Sequence, residues 1–135
     1  MLKKAIVNII LLFALQLTFT ACQKNYEPMV EGIWDEVMVG DIDTIKPQEW
    51  HFIENEIHIY SYRDNEEPKE LHKRDSGKYI LRNTIKGLYM RMAEMNDQRY
   101  NNDWEVMKLE KQRMIISVEV PGEVIYKEFT KQATN

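Results

Sequence analysis

The chain has 135 residues, with 22 Asp and Glu against 18 Lys and Arg, a formal net charge of −4, and one cysteine. This length suits a single domain. The acidic balance excludes nucleic-acid binding by bulk electrostatics, and a lone thiol excludes an internal disulfide.

The N-terminus has the zones of an exported precursor. Lys3 and Lys4 make a basic start, Ala5 to Leu17 is almost entirely apolar, and Thr18 to Ala21 is small and polar except for Phe19. That order predicts a secretory signal peptide over residues 1–21. A spanning helix is the rival reading; it needs about 20 apolar residues and basic flanking, and the run ends sooner. The stretch Phe19-Thr20-Ala21-Cys22 resembles the lipobox of bacterial lipoproteins, although Phe19 stands where Leu is usual. The resemblance implies that Cys22 is alkylated by a diacylglycerol, becomes the mature N-terminus and is then acylated. A chance cysteine behind a plain signal peptide is the alternative. Thiolate is well suited to forming a stable thioether. One buried acyl chain binds only marginally, whereas two or more hold firmly.

With Lys3 and Lys4 removed, the mature chain of 114 residues keeps all 22 acids and 16 basic residues, a formal charge of −6. An anionic membrane surface would mildly repel it, so the partner membrane is reached through the lipid on Cys22. Residues 22–30, which include Tyr26, Glu27 and Pro28, read as a lipidated tether. Bacteroidetes-type lipoproteins exported to the cell surface often carry paired acids after the cysteine. Only Glu27 is present here, so the expected location is the cell envelope, as an outer-membrane lipoprotein facing either the periplasm or the surface.

From residue 31 the dominant pattern is two-residue alternation in short runs, the signature of half-buried strands. In chain order the predicted strands are 32–40, 48–53, 56–63, 77–83, 85–92, 103–110, 113–120 and 123–130. Loops are expected near 41–47, 64–76 and 93–102, and Pro121-Gly122 is a turn. Eight sequential strands with short links predict an all-β fold, an eight-stranded up-and-down antiparallel barrel, which removes exposed edges. An open β-sandwich is the alternative. A turn at Glu54-Asn55 would pair Phe52 with Ile57, Trp50 with Ile59 and His51 with His58. Tyr60 and Tyr62 then share the His58 face, and the pattern leaves open which face points inward.

The segments GIWDEV, EWHFIENEIHIY, GKYIL and WEVMKLEKQRMIISV resemble, in their order and spacing, the lipocalin-like domains of bacterial lipoproteins. The resemblance spans roughly residues 31–131. It implies a calycin-type barrel with Trp34 plugging its closed end and a basic side chain, Arg113 or Lys127, packed on that indole. It also implies a cavity for a small apolar ligand.

Trp34, Trp50, Phe52, Leu88, Met90 and Met92 are the expected ligand-binding residues; a packed core is the competing reading of the same side chains. His51 and His58 offer two imidazoles, with Glu49 or Glu56 nearby, but a structural zinc wants four ligands, so solvated residues are expected and no metal. Met90, Met92 and Met95 have a spacing seen in soft copper sites, which core packing also explains. No Gly-x-Ser-x-Gly, His-Glu-x-x-His or phosphate-binding glycine loop occurs, and Cys22 is consumed by lipid, so neither enzyme nor cofactor is expected. The expected function is a lipid-anchored envelope binding protein for a small apolar molecule. The alternative is a filled barrel that engages another envelope protein.

Overall fold

In the computed structural model the described residues are 2, 25–38, 47–62 and 70–134. The expected signal peptide, apart from residue 2, and Cys22 lie outside them. After a short helix α1 (Glu27–Val30) come eight strands: β1 (Gly32–Glu36), β2 (Gln48–Ile53), β3 (Glu56–Tyr62), β4 (Leu71–Thr84), β5 (Gly87–Ala93), β6 (Asp103–Leu109), β7 (Arg113–Val120) and β8 (Glu123–Lys131). Each is antiparallel to the next, and β1 pairs with β8, which closes the barrel in chain order. The hydrogen-bonded ring is complete within residues 32–131, so closure requires no other segment.

The β2–β3 hairpin has the register expected from its apolar quartet: Phe52 opposite Ile57, Trp50 opposite Ile59 and His51 opposite His58. Glu54 and Asn55 both take positive φ, 47° and 68°, as a two-residue turn between twisted strands requires. The inward face is the quartet Trp50, Phe52, Ile57 and Ile59, all essentially inaccessible to water. Tyr60 and His58 share the outer face.

The barrel interior is filled. Trp34, Trp50, Trp104, Tyr79, Phe52, Phe129, Met90, Met92, Met114 and Ile116 are each less than 2% exposed. Burying a large apolar side chain contributes roughly 1.5–3 kcal/mol, and this column is the principal source of stability in a domain without a disulfide.

Two expectations need correction. Residues 71–76, expected in a loop, form the first half of β4. The β3–β4 register shifts between Ile59 and Tyr60, so Asp75 pairs with Ile59 while Lys73 pairs with Tyr60, and Arg74 is the extra residue. Such a bulge reverses the in–out alternation, and the inward position falls on a carboxylate. The tether also ends earlier than residue 30: Glu27–Val30 is helical and Val30 is fully buried. Smaller differences are at strand ends, where β1 stops at Glu36 and β5 begins at Gly87 after the Ile85-Lys86 turn.

One end of the barrel is closed by α1 and Trp34. The Trp34 Nε1–H donates to the Val30 carbonyl at 2.7 Å. The Lys131 ammonium stands 5.2 Å from the Trp34 ring centroid and donates to the Met29 carbonyl at 3.1 Å. Lys131, not Arg113 or Lys127, is therefore the basic side chain on this indole. Arg113 pairs with Glu128, and Lys127 stands 5.5 Å from the centre of the Trp50 ring. Gly32 makes room for the arrangement: its φ is +130°, and a Cβ there would lie 2.6 Å from Lys131 Cε. Burial pulls the Lys131 ammonium below its ordinary pKa, with the Glu31 carboxylate opposing.

Candidate functional site at the end of the barrel opposite Trp34

At the opposite end the inward column turns polar. In β8 the inward side chains run Ile125, Lys127, Phe129, and in β1 Trp34 is followed on the same face by Glu36. The Lys127 ammonium meets a Glu36 carboxylate oxygen at 2.5 Å, with the two side chains only 16% and 12% exposed. An ion pair so far out of water gives back in Coulomb attraction little more than its desolvation costs, and an apolar pair would be at least as stable. Its place in the wall is thus not explained by stability.

β2 brings Gln48 to the same place, two residues before Trp50 on the inward face. Its side-chain oxygen accepts the Trp50 Nε1–H at 3.1 Å. The fourth contribution is the connection 94–102 between β5 and β6. This connection is fastened by the inward Asp75, which is 7% exposed and accepts the backbone N–H groups of Asn96 and Asp97, each at 2.9 Å. Asn101 braces it internally, accepting from Met95 N at 2.8 Å and donating back to the Met95 carbonyl at 3.0 Å. The bulge that obscured β4 in the sequence therefore precedes the carboxylate that shapes the rim.

The fastened connection carries Arg99 and Tyr100. Tyr100 meets Trp50 edge-on with centroids 5.4 Å apart, and its carbonyl accepts the Trp104 Nε1–H at 3.0 Å. Burial, and then the Glu36 and Asp97 carboxylates, push the Tyr100 phenol up to about 12, while a hydrogen bond with Gln48 opposes them. The phenol is neutral at physiological pH and serves as a hydrogen-bonding group. Arg99 is exposed at the rim, where its hydrogen bonds hold the Asp97 carboxyl below its ordinary value.

Glu36, Gln48, Arg99, Tyr100, Trp104, Ile125 and Lys127 enclose a cleft of about 240 Å³. It lies below the roughly 300–1,000 Å³ typical of drug-sized sites. It pairs an apolar wall of Trp104, Tyr100 and Ile125 with a polar end formed by Gln48 and the Lys127–Glu36 pair.

None of the six residues expected to bind a ligand lines this cleft. Trp34 sits at the closed end; Trp50, Phe52, Met90 and Met92 are buried in the packed interior, and Leu88 packs partly buried against it. Trp50 comes nearest the cleft, through Tyr100 and Lys127. Of the cleft residues only Lys127 was named in the sequence, and for another role, as a candidate partner of the Trp34 indole; its signal for the cleft is a charge in the inward column of β8.

His51 and His58 face each other on the outer wall, but each Nε2 is engaged by the acid two residues earlier: Glu49 at 2.5 Å and Glu56 at 3.1 Å. Among the described residues no group of three or more His, Cys, Asp or Glu is placed to hold a metal ion. Met90 and Met92 share the inward face, and Met95 is buried beside them. No protein-family model, no curated protein and no solved structure matches this chain.

Proposed function

We propose that this protein is a lipid-anchored binding protein of the cell envelope, whose packed barrel supports a small-molecule site at the end opposite Trp34. The observation that carries the reading is the Lys127–Glu36 pair, sequestered from water at the place where the inward column changes from apolar to polar and a cleft opens. The fitting occupant is a small amphipathic molecule, with its apolar body against Trp104, Tyr100 and Ile125 and its polar end at Gln48 and Lys127. This moves the ligand from the barrel axis to the rim. The site contains hydrogen-bonding groups but no activated nucleophile, and the reading is one of binding rather than catalysis. The anchor is Cys22, and the membrane attachment and outer-membrane location follow from the lipobox resemblance.

The test is thermal unfolding of the lipid-free domain against matched amphiphiles that differ only in head group: carboxylate, amine and alcohol on the same short chain or ring. At least one head group is expected to raise the melting temperature by several degrees, and the double variant Glu36→Leu with Lys127→Met, which removes both charges of the sequestered pair together, should abolish the rise with little change in the unliganded melting point. No shift across the panel, or an undiminished shift in the double variant, overturns the cleft reading. For the anchor, Cys22→Ser should remain unprocessed and unlabelled by palmitate in the cell; normal labelling contradicts it.

The filled interior favours a second reading, a module that engages another envelope protein through its outer wall.

A further inference from the structure

The charges around the cleft balance in pairs. Two cations line it, Arg99 and Lys127, and each is matched by a carboxylate. Arg99 is held by Asp97, its Nε donating to Oδ1 at 3.0 Å and its Nη2 to Oδ2 at 2.6 Å, and its side chain is 79% exposed at the rim. Lys127 is matched by Glu36 inside the cleft. The other polar groups are neutral: the Tyr100 phenol, and the Gln48 amide, whose oxygen accepts the Trp50 Nε1–H. A site with no net charge has little attraction for a net ion, but it presents a fixed dipole running between Glu36 and Lys127.

A ligand with a single charge fares poorly against such a pair. A carboxylate drawn to the Lys127 ammonium stands beside Glu36 as well, because the two side chains touch, and the repulsion cancels most of the attraction. An amine drawn to Glu36 meets Lys127 in the same way. Separating the pair to serve one of them leaves the other charge sequestered and unpaired, which is costly. A zwitterion avoids both penalties. Laid antiparallel on the pair, its anion meets Lys127 and its cation meets Glu36, while the like charges lie across the longer diagonals. The groups for this are in place, since the contact between the pair uses one of three ammonium N–H groups and one of two carboxylate oxygens. The volume sets the size: about 240 Å³ is room for about eight waters at about 30 Å³ each, the scale of leucine rather than of a lipid.

We propose that the cleft binds a free α-amino acid with an apolar side chain, its carboxylate on Lys127, its ammonium on Glu36 and its side chain against Trp104, Tyr100 and Ile125. An α-amino acid carries its two charges one carbon apart, which matches an ion pair in direct contact. The apolar wall beside the pair selects an apolar side chain over a polar one. This assignment rests on the cleft being a binding site, and it gives that site its ligand class. It also gives the sequestered pair a role that stability does not.

The test is isothermal titration calorimetry on the chain from residue 22 with Cys22→Ser. The ligands are L-leucine; isocaproate, the same skeleton without the amine; isoamylamine, the same skeleton without the carboxylate; and dihexanoylphosphatidylethanolamine, a zwitterion of the lipid kind. Leucine is expected to bind at least about tenfold more tightly than either single-charge analogue, since one charge-assisted hydrogen bond is worth about that factor. Glu36→Gln should bring isocaproate level with leucine, because the ligand ammonium loses its partner and the ligand carboxylate its rival. The double variant Glu36→Leu with Lys127→Met should lose leucine binding with little change in melting temperature, and it carries the test if the single variant unfolds. Isocaproate or isoamylamine binding as tightly as leucine, or undiminished leucine binding in the double variant, would overturn the zwitterion. Tighter binding of the phospholipid than of leucine would assign the pair to a lipid head group and overturn the free amino acid. No leucine binding while an amphiphile raises the melting temperature overturns the amino acid and leaves the cleft reading standing; amphiphiles that also fail overturn both.

Discussion

Replacing Trp34 with alanine removes three supports of the closed end at once. The indole is fully buried, and truncating a buried Trp costs about 3–5 kcal/mol in lost transfer and cavity terms. Its Nε1–H is a donor to the Val30 carbonyl at 2.7 Å, and a buried carbonyl left without that donor costs about 1–3 kcal/mol. Lys131 loses the ring face beneath its ammonium, worth about 0.5–1 kcal/mol at a partly exposed site. These terms overlap, because water entering the vacated space can solvate both the carbonyl and the ammonium. The expected total is therefore about 4–6 kcal/mol, a large part of the 5–15 kcal/mol typical of a domain. Trp34→Phe keeps most of the ring and loses only the donor and some volume, so it should cost about 1–3 kcal/mol. The assay is urea unfolding of the chain from residue 25, followed by far-ultraviolet circular dichroism. A double-mutant cycle with Lys131→Met should return a coupling of about 0.5–1 kcal/mol. Trp34→Ala within about 1 kcal/mol of wild type would refute the reasoning, since none of the three terms could then be operating.

Asp75→Ala should cost about 3–6 kcal/mol, because hydrogen bonds to a charged acceptor contribute about 1.5–3 each and two of them fasten the 94–102 connection. Amide exchange at Asn96 and Asp97 should accelerate by more than exchange in β7, and unchanged exchange there would deny Asp75 its fastening role. Burial, and then the Glu31 and Glu27 carboxylates, push the Tyr79 phenol up to about 12 from its ordinary 10. The unfolded chain therefore releases that proton first, and the group's contribution is fully present below pH 10 and is lost as pH rises through 10 to 12. Tyr79→Phe should flatten part of this alkaline fall in stability, and an identical pH profile in the variant would contradict the shift. Gly32→Ala should lower the melting temperature by several degrees, because alanine at φ +130° is strained and its Cβ meets Lys131 Cε. A melting point equal to wild type would show that the β1 backbone relaxes freely.

What was legible in the sequence follows from where alternation holds. The hairpin at Glu54-Asn55 could be registered residue by residue because Trp50, Phe52, Ile57 and Ile59 agree on one face. Pro121-Gly122 marks its turn equally directly, with Gly122 at φ 91°. The first half of β4 was hidden because the bulge at Arg74 reverses the pattern and places Asp75 inward, so an inward strand position reads as a loop. The helix α1 is a single turn, too short for any periodicity, and its burial shows only in the contact of Val30 with Trp34. Lys131 and Trp34 meet because the last strand closes on the first, a pairing that local sequence does not encode. The cleft was missed for the same reason: its side chains come from β1, β2, β6, β8 and the 94–102 connection, and each looks ordinary alone.

The claim that most needs testing is that the barrel is a filled support with its binding site at the rim. The three indole N–H groups report on it directly, because Trp34 lies at the closed end, Trp104 lines the cleft and Trp50 touches three of the cleft's residues, Tyr100, Lys127 and, through its N–H, Gln48. In an ¹⁵N spectrum of the lipid-free domain titrated with the amphiphile that most raises the melting temperature, the Trp104 and Trp50 indole resonances should move saturably while Trp34 stays fixed. Movement of Trp34 as large as that of Trp104 would place the ligand along the barrel axis, and a spectrum in which no indole moves would leave the rim without a ligand; either result contradicts the account.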